Sequence, residues 1–314
     1  MKRIETVALI GLGAMGSAYL AEIAEAVPMD NIKVIASGDR ARRYSREGVS
    51  VNGRTIRFPI AGPEEESKPA DLVIFTVKYG ALPQAIKDAR NHVGPDTTIL
   101  SLLNGIKSES VIAETYGWER LLYSLSMGSD LVRTESSTVY TTLGYIPFGE
   151  AKNTQGAYSE RVLLLEDLFK RVGLKYDIPE DMIRVLWKKF MMNTGVSQII
   201  TLLRCGYGAV QKAESVRALA ISTMEEVVAV AEKEGVNLTL DDIVDGLKVT
   251  DTLSPAGKPS TLQDVEAMRP TEVDIFAGTV IELAKKHNLP VPVNEMLYRL
   301  IKAMEEAYPY SIYK

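Results

Sequence analysis

The sequence predicts an α/β protein in two parts. A Rossmann-type, doubly wound sheet is expected over residues 1–178, followed by an all-helical domain over residues 179–314. Three observations predict this. A strand-like run at residues 6–10 leads directly into Gly11-Leu12-Gly13-Ala14-Met15-Gly16 and then into helix-forming sequence. Short apolar, strand-like runs recur as far as Asp177. Beyond Pro179 such runs nearly vanish, and apolar residues return every three to four positions, the period of a helix.

The totals narrow the function. The chain has 314 residues, enough for more than one core. A net charge of −5, with no long basic run, argues against a nucleic-acid surface. No run reaches the roughly 18 apolar residues of a spanning helix, so no membrane partner is expected. The apolar run after Arg3 is short and broken by three glycines, unlike a secretory signal. Cys205 is the single cysteine, so no intrachain disulfide can form, which fits a cytoplasmic setting. The two histidines, His92 and His287, restrict acid–base chemistry and make a zinc site improbable. Both are expected at the surface, His287 at a helix end.

In chain order, residues 6–10 form the first strand and residues 17–26 a helix that stops near Pro28. Strand, glycine turn and helix are the context that makes G-x-G-x-x-G a dinucleotide signal. Gly11 permits the tight turn, Gly13 lets a pyrophosphate approach the backbone, and Gly16 lets the helix pack on the strand. The second strand, residues 32–36, ends in Ser37-Gly38-Asp39-Arg40-Ala41-Arg42-Arg43. A small hydroxyl followed by arginines suits a 2′-phosphate better than a free hydroxyl. NADP, as NADPH, is therefore expected, with Arg40 stacking on adenine or pairing with the phosphate. Asp39 keeps NAD as the alternative.

Residues 49–60 alternate around Asn52-Gly53, a hairpin signal. Residues 72–77 and 98–103 are apolar strands of the kind buried on both faces, followed by Lys78 and by Asn104-Gly105. Ligands of doubly wound sheets bind at the carboxyl ends of strands, where the glycine turn, Lys78 and Asn104 all fall. Residues 121–127, 138–142 and a strand ending near Phe148 are expected to continue the sheet. A helix at 157–171 and a short strand at 174–177 close this part.

Helices are expected at 180–203, 215–233, 240–248, 272–286 and 293–307. In the first of these, Lys189, Asn193 and Ser197 recur every four residues, a polar stripe on an otherwise apolar helix. Burying such groups without partners is costly, so a substrate with a carbonyl and a carboxylate is the expected partner. Lys188 points elsewhere and reads as a surface lysine. A loop at 253–260, bounded by Pro255 and Pro259, delivers Ser260, for which a helix N-cap paired with Gln263 is the structural alternative.

At this point the chain resembles the ketopantoate reductase (2-dehydropantoate 2-reductase) family along nearly its whole length. The glycine turn, Val77-Lys78, Leu103-Asn104-Gly105, and Trp187-Lys188-Lys189 with Asn193 occur in family order. The most discriminating match is Ser260-Thr261-Leu262-Gln263-Asp264-Val265 followed by Arg269-Pro270-Thr271-Glu272-Val273-Asp274. It continues into Gly278 and Asn288-Leu289-Pro290-Val291-Pro292. The resemblance implies a helical domain of the 6-phosphogluconate-dehydrogenase-like type and reduction of a small 2-keto acid. It implies Lys189 as general acid, Asn193 as substrate ligand and Ser260 on the substrate carboxylate. Asn104 would lie between nicotinamide and substrate, Lys78 near the cofactor, and Glu272 by its ribose. Two positions depart from the family pattern. Ser197 stands where a second helix asparagine is expected, and Ser37 where an arginine often follows the second strand.

Residue chemistry agrees with these roles. Reducing a 2-keto acid needs a hydride, which a nicotinamide supplies, and a proton for the nascent alkoxide. With histidine scarce, a lysine ammonium is a suitable acid. Asn193 and Ser197 are neutral partners for a substrate hydroxyl, and Ser260 can hold a carboxylate. The alternatives are a β-hydroxyacid dehydrogenase, whose glycine-rich substrate segment is missing here, and an NADP-sensing regulator without catalysis. The apolar helices of the second half could form a homodimer face.

Overall fold

The computed structural model describes residues 3–66, 68–134 and 137–310. They fall into two units, Met1–Ile183 and Arg184–Lys314. The strands of the first unit are β1 (Val7–Ile10), β2 (Ile32–Ile35), β3 (Val49–Val51), β4 (Arg54–Ile56), β5 (Ile60–Ala61), β6 (Leu72–Phe75), β7 (Thr98–Ser101), β8 (Leu121–Ser124), β9 (Val132–Thr134), β10 (Ser137–Val139), β11 (Ile146–Gly149) and β12 (Tyr176–Asp177). Its helices are α1 (Ala14–Ile23), α2 (Gly38–Glu47), α3 (Leu82–Asp88), α4 (Ser108–Tyr116) and α5 (Glu160–Val172).

The larger sheet runs β12-β11-β8-β7-β6-β1-β2-β5. Its pairings are parallel except for the antiparallel β8–β11 pair. From β1 the chain steps to β2 on one side and later crosses to β6 on the other. That places a topological switch point at the end of β1. Side-chain alternation sets the layers. Val7 and Leu9 pack with Tyr19, Leu20 and Ile23 of α1 and with Val162, Leu165 and Phe169 of α5. Ala8 and Ile10 face the opposite core, with Leu82 and Ile86 of α3 and Ile112 and Tyr116 of α4. Both faces are covered, which is why these strands read as unbroken apolar runs.

A second, four-stranded sheet runs β4-β3-β10-β9. The Asn52-Gly53 hairpin forms as β3–β4, but β10 does not continue the main sheet as its sequence suggested. The physical signal was present. Val49, Val51 and Ile56 are buried while Arg54 and Thr55 are exposed, the alternation of a sheet covered on one face only. This sheet packs on α1, with Thr138 Oγ1 2.9 Å from Ser17 Oγ and Tyr140 OH donating to Glu22 at 2.6 Å. His92 also departs from its expected surface position. It is 1% exposed, and its Nε2–H donates to the Gly62 carbonyl at 3.1 Å.

The helical unit is built from α6 (Met182–Met192), a π-helical turn at Asn193–Ser197, α7 (Gln198–Leu203), α8 (Gly208–Lys212), α9 (Glu214–Lys233), α10 (Leu240–Thr252), α11 (Ser260–Glu266), α12 (Ala277–Lys286) and α13 (Pro292–Glu306). The long α9 packs against the π turn, α10, α12 and α13. Two expected helices are interrupted. The one at 180–203 is broken by the π turn. The one at 272–286 begins as a 3-10 turn, Val273–Ile275, and bends at Phe276 (φ −101°, ψ −97°) before α12. Phe276 is 1% exposed, so the bend is held by a side chain locked in the core. Among the described residues no helix is long and apolar enough to cross a membrane.

Candidate functional site

In the first unit the glycine turn is shaped by what cannot fit. A Cβ on Gly11 (φ +104°) would lie 2.7 Å from the Thr76 and Val77 backbone. A Cβ on Gly16 would lie 2.3 Å from the Gly11 carbonyl oxygen and 2.5 Å from Thr76 Oγ1. Thr76 Oγ1 donates to that same carbonyl at 2.7 Å, fastening the turn to the end of β6. Gly13 differs: among the described residues nothing lies within 4 Å of its absent Cβ. The Leu12 side chain is buried and Met15 half-buried, so the exposed part of the turn is main chain. Gly13 caps α1 without a side-chain bond, and the first turn of α1 carries no acid. The first N–H groups, on Ala14, Met15 and Gly16, have no intrahelical acceptor and sit at the positive end of the helix. What fits this turn is a group with anionic oxygens, such as a diphosphate.

The parallel order β7-β6-β1-β2 brings four strand ends side by side, about 4.8 Å apart. The glycine turn follows β1, exposed Lys78 follows β6, half-buried Asn104 follows β7, and Arg40 lies beyond β2. Asn104 precedes Gly105, which has φ +88°. Behind this loop lies a buried polar chain: Ser101 Oγ donates to Ser108 Oγ at 2.7 Å, and Ser108 Oγ to Glu109 Oε2 at 2.9 Å. Burial, followed by the nearby Glu109 and Glu150, pushes the Tyr123 hydroxyl up to about 12.

Ser37 caps α2 without a side-chain bond. Arg42 pairs with Asp39, and Arg46 with Glu47. Arg40 and Arg43 have no ion-pair partner among the described residues, and the arginines with Asp39 line a groove of about 330 Å³. Asp39, the residue that would favour a free ribose hydroxyl, is thus engaged by Arg42.

In the helical unit Lys189 and Asn193 are half-buried, and Ser197 is 8% exposed. Asn193 and Ser197 are the first and last residues of the π turn. A π turn closes its hydrogen bonds one residue later than an α turn, so Ser197 is rotated off the line that a regular helix would give the three residues. Its carbonyls are met by side chains. Gln198 Nε2 donates to Thr194 O and Thr201 Oγ1 to Ser197 O, each at 2.7 Å. Gly195 lets α9 come close, since a Cβ there would lie 2.3 Å from Met224 Cγ. The buried Thr194 Oγ1 and Gln198 Oε1 are without partners among the described residues.

Lys188 is not the loose surface lysine its sequence suggests. Its Nζ lies 2.6 Å from Asp242 Oδ1, and Arg184 Nη2 donates to both oxygens of Asp242 at 2.7 and 2.9 Å. Asp242 also completes the capping box of α10 with Thr239. Burial alone would raise the Asp242 carboxyl. Lys188, the Thr239 N–H and Arg184 together outweigh it and hold the group below the usual carboxylate range. Consecutive helix residues point about 100° apart, so anchoring Lys188 fixes the direction of Lys189.

Ser260 is the exposed first residue of α11, which packs against the π turn and α7. Pro259 occupies the cap, and no side-chain capping bond forms, so the alternative of a Ser260–Gln263 capping box is not what the structure has. Half-buried Glu272 precedes the 3-10 turn. The residue before it is fixed to α13, with Thr271 N and Oγ1 both donating to Glu305 Oε1 at 2.6 Å. Among the described residues no group of three or more His, Cys, Asp or Glu could hold a metal ion. Sequence motifs gave no signal for Thr76, Asp242, Gly195 or Arg133, whose Nη1 donates to the Leu12 carbonyl at 3.0 Å.

Comparison with known proteins agrees across both units. The family model for ketopantoate reductase PanE/ApbA matches residues 7–153, and that for its C-terminal domain matches residues 181–305. A 2-dehydropantoate 2-reductase of Pyrococcus horikoshii is 27% identical over 303 residues, covering 95% of this chain and 96% of that protein. The structure of a 2-dehydropantoate 2-reductase from Geobacter metallireducens GS-15 has a TM-score of 0.82 at 25% identity, over 95% of this chain and 99% of that one. D-mandelate dehydrogenase in ternary complex with NADH and anilino(oxo)acetate has a TM-score of 0.84, over 96% and 99% of the two chains. At 21% identity that last likeness is one of fold.

Proposed function

The chain belongs to the ketopantoate reductase family, a family of pyridine-nucleotide-dependent oxidoreductases, and from this we propose that it reduces 2-dehydropantoate (ketopantoate) to pantoate with NADPH, a step of pantothenate and coenzyme A biosynthesis. The observation that supports this reading most is the row of strand ends. It sets an uncapped, acid-free helix N-terminus beside Lys78, Asn104 and Arg40 in a chain whose family acts on a small keto acid.

When bound, the cofactor supplies a hydride for C2 of the keto acid. The turn from Gly11 to Gly16 holds its diphosphate by main-chain N–H groups. Arg40 takes the 2′-phosphate, Glu272 a ribose hydroxyl, and Lys78 and Asn104 the nicotinamide end. Lys189 gives its proton to the C2 oxygen as charge develops there, a contribution typically worth about 10² to 10⁴ in rate. Asn193 and Ser197 hydrogen-bond the substrate hydroxyl, and Ser260 holds the carboxylate.

A second reading, a branched 2-keto acid other than ketopantoate, is favoured by Ser197. Its side chain is short and nearly enclosed, which leaves less reach towards a substrate hydroxyl. One assay separates these readings. NADPH oxidation is followed with ketopantoate and a small panel of branched 2-keto acids, with NADH in parallel. Ketopantoate is expected to give the highest kcat/KM. A higher value on another keto acid selects the second reading. Oxidation of 3-hydroxy acids, or dinucleotide binding without any turnover, would overturn both.

A further inference from the structure

We propose that Arg133 is a positioning residue of the dinucleotide site, holding the glycine turn by its Leu12 carbonyl and setting a guanidinium beside the diphosphate. The inference rests on the reading that this turn binds a dinucleotide. It starts from strand alternation. In the edge strand β9, Val132 and Thr134 are exposed and Arg133 is half-buried between them, on the opposite face. Arg133 stands directly across from Thr138 of β10 in the antiparallel register. Thr138 is fully buried, and its hydroxyl lies 2.9 Å from Ser17 Oγ on α1.

The cross-strand pair therefore grips one object at two points. Thr138 holds the first turns of α1, and Arg133 holds the glycine turn through Leu12 O at 3.0 Å. Ser17 Oγ also donates to Ala14 O at 3.1 Å, tying the contact back to the start of the helix. Tyr140 OH, bound to Glu22, extends the same brace along α1. The small sheet thus serves the turn from a position some 120 residues away in sequence.

Electrostatics says what the guanidinium is for. The N-terminus of a helix is its positive end, and a cation beside it is repelled. An anion lying against the same turn offsets that repulsion, and a diphosphate is such an anion. Its oxygens would meet the main-chain N–H groups and the guanidinium from two sides.

The test compares Arg133→Met and Arg133→Lys with the wild type by titration of NADPH and of NADH. The diphosphate is common to both, so Arg133→Met is expected to weaken both by about the same factor, roughly tenfold. The ratio of the two affinities and the melting temperature should stay at their wild-type values. Arg133→Lys, which keeps the charge, should recover part of the loss. Wild-type affinity in Arg133→Met overturns the inference. So does a loss that comes with a lowered melting temperature and is not relieved by lysine, because the residue would then be a structural brace alone. A wild type that binds neither dinucleotide overturns the proposed function as well, and is recognised without any variant.

Discussion

The two units build their candidate groups in opposite ways. In the first, the surface offered to a ligand is main chain, made available by missing side chains. Gly11 and Gly16 bring the turn against β6, and Gly13 leaves open space. In the helical unit the candidate groups are side chains, and what matters is where the helix points them. There the work falls to the Asp242 anchor on one side of α6 and to the π turn that follows. A main-chain site is set by sheet topology and is hard to re-aim. A side-chain site is set by helix rotation, which a few polar contacts decide.

Several substitutions would sharpen or break this contrast. The largest effect is expected from Lys189→Ala, which removes a group and leaves the main chain alone. Turnover should fall by at least roughly 10², with NADPH affinity retained. Unchanged turnover would take Lys189 out of the chemistry. Next come the glycines, whose environments predict different failures. Gly16→Ala drives a Cβ into the Gly11 carbonyl and Thr76, an overpacking that costs about 1–3 kcal/mol of stability as well as binding. Gly13→Ala meets no atom of the described residues, and its φ of −82° suits alanine. Stability should hold while dinucleotide affinity drops by about tenfold or more. If denaturation and titration show both variants failing alike, the turn is structural and its open space is not a binding site.

A fourth substitution tests the anchor of the helical unit. Asp242→Asn breaks an ion pair to a carboxylate that is 3% exposed and is expected to cost about 2 kcal/mol, less than a fully enclosed pair because its partners are about a third exposed. The Asp242 pKa is lower in the folded chain than its ordinary value of 3.8. Its contribution is therefore complete above that ordinary value and is lost as pH falls through the depressed one. In urea titrations the gap between wild type and Asp242→Asn should be full at pH 7 and narrow below about pH 4. A gap independent of pH would mean that Asp242 acts by shape and not by charge.

What could be read from the sequence follows the same division. The strand runs, the glycine turn and the positions of Lys78 and Asn104 beyond strand ends were legible because a sheet buried on both faces writes itself as unbroken apolar runs with well-marked ends. The second sheet was misplaced, although Val49, Val51 and Ile56 carried its one-sided alternation, because pairing partners are set by contacts far along the chain. In the helical unit the spacing of Lys189, Asn193 and Ser197 was visible, but the π turn that rotates Ser197 was not. It depends on Gly195 meeting Met224 and on side chains of Gln198 and Thr201 reaching carbonyls, none of which has a periodic signature. Lys188 misled for a related reason: its partner Asp242 lies more than 50 residues away.

The smallest expected effect lies where the two kinds of site meet within the first unit. Arg40 is a side chain placed by a strand end, exposed and without an ion-pair partner among the described residues, whereas Arg42 and Arg46 are engaged by Asp39 and Glu47. If it holds the 2′-phosphate, Arg40→Ala should raise the KM for NADPH by about tenfold, the worth of a charge-assisted hydrogen bond, and leave that for NADH nearly unchanged. The pair is exposed to solvent, so the factor should shrink as salt shortens the Debye length towards the contact distance. Equal losses for NADPH and NADH would move Arg40 from the 2′-phosphate to the adenine face, which both share. No loss for either would shift the assignment to Arg43, three residues on along the same helix and likewise without an ion-pair partner among the described residues. The salt dependence separates these outcomes, because stacking on adenine is far less screened than a contact between charges.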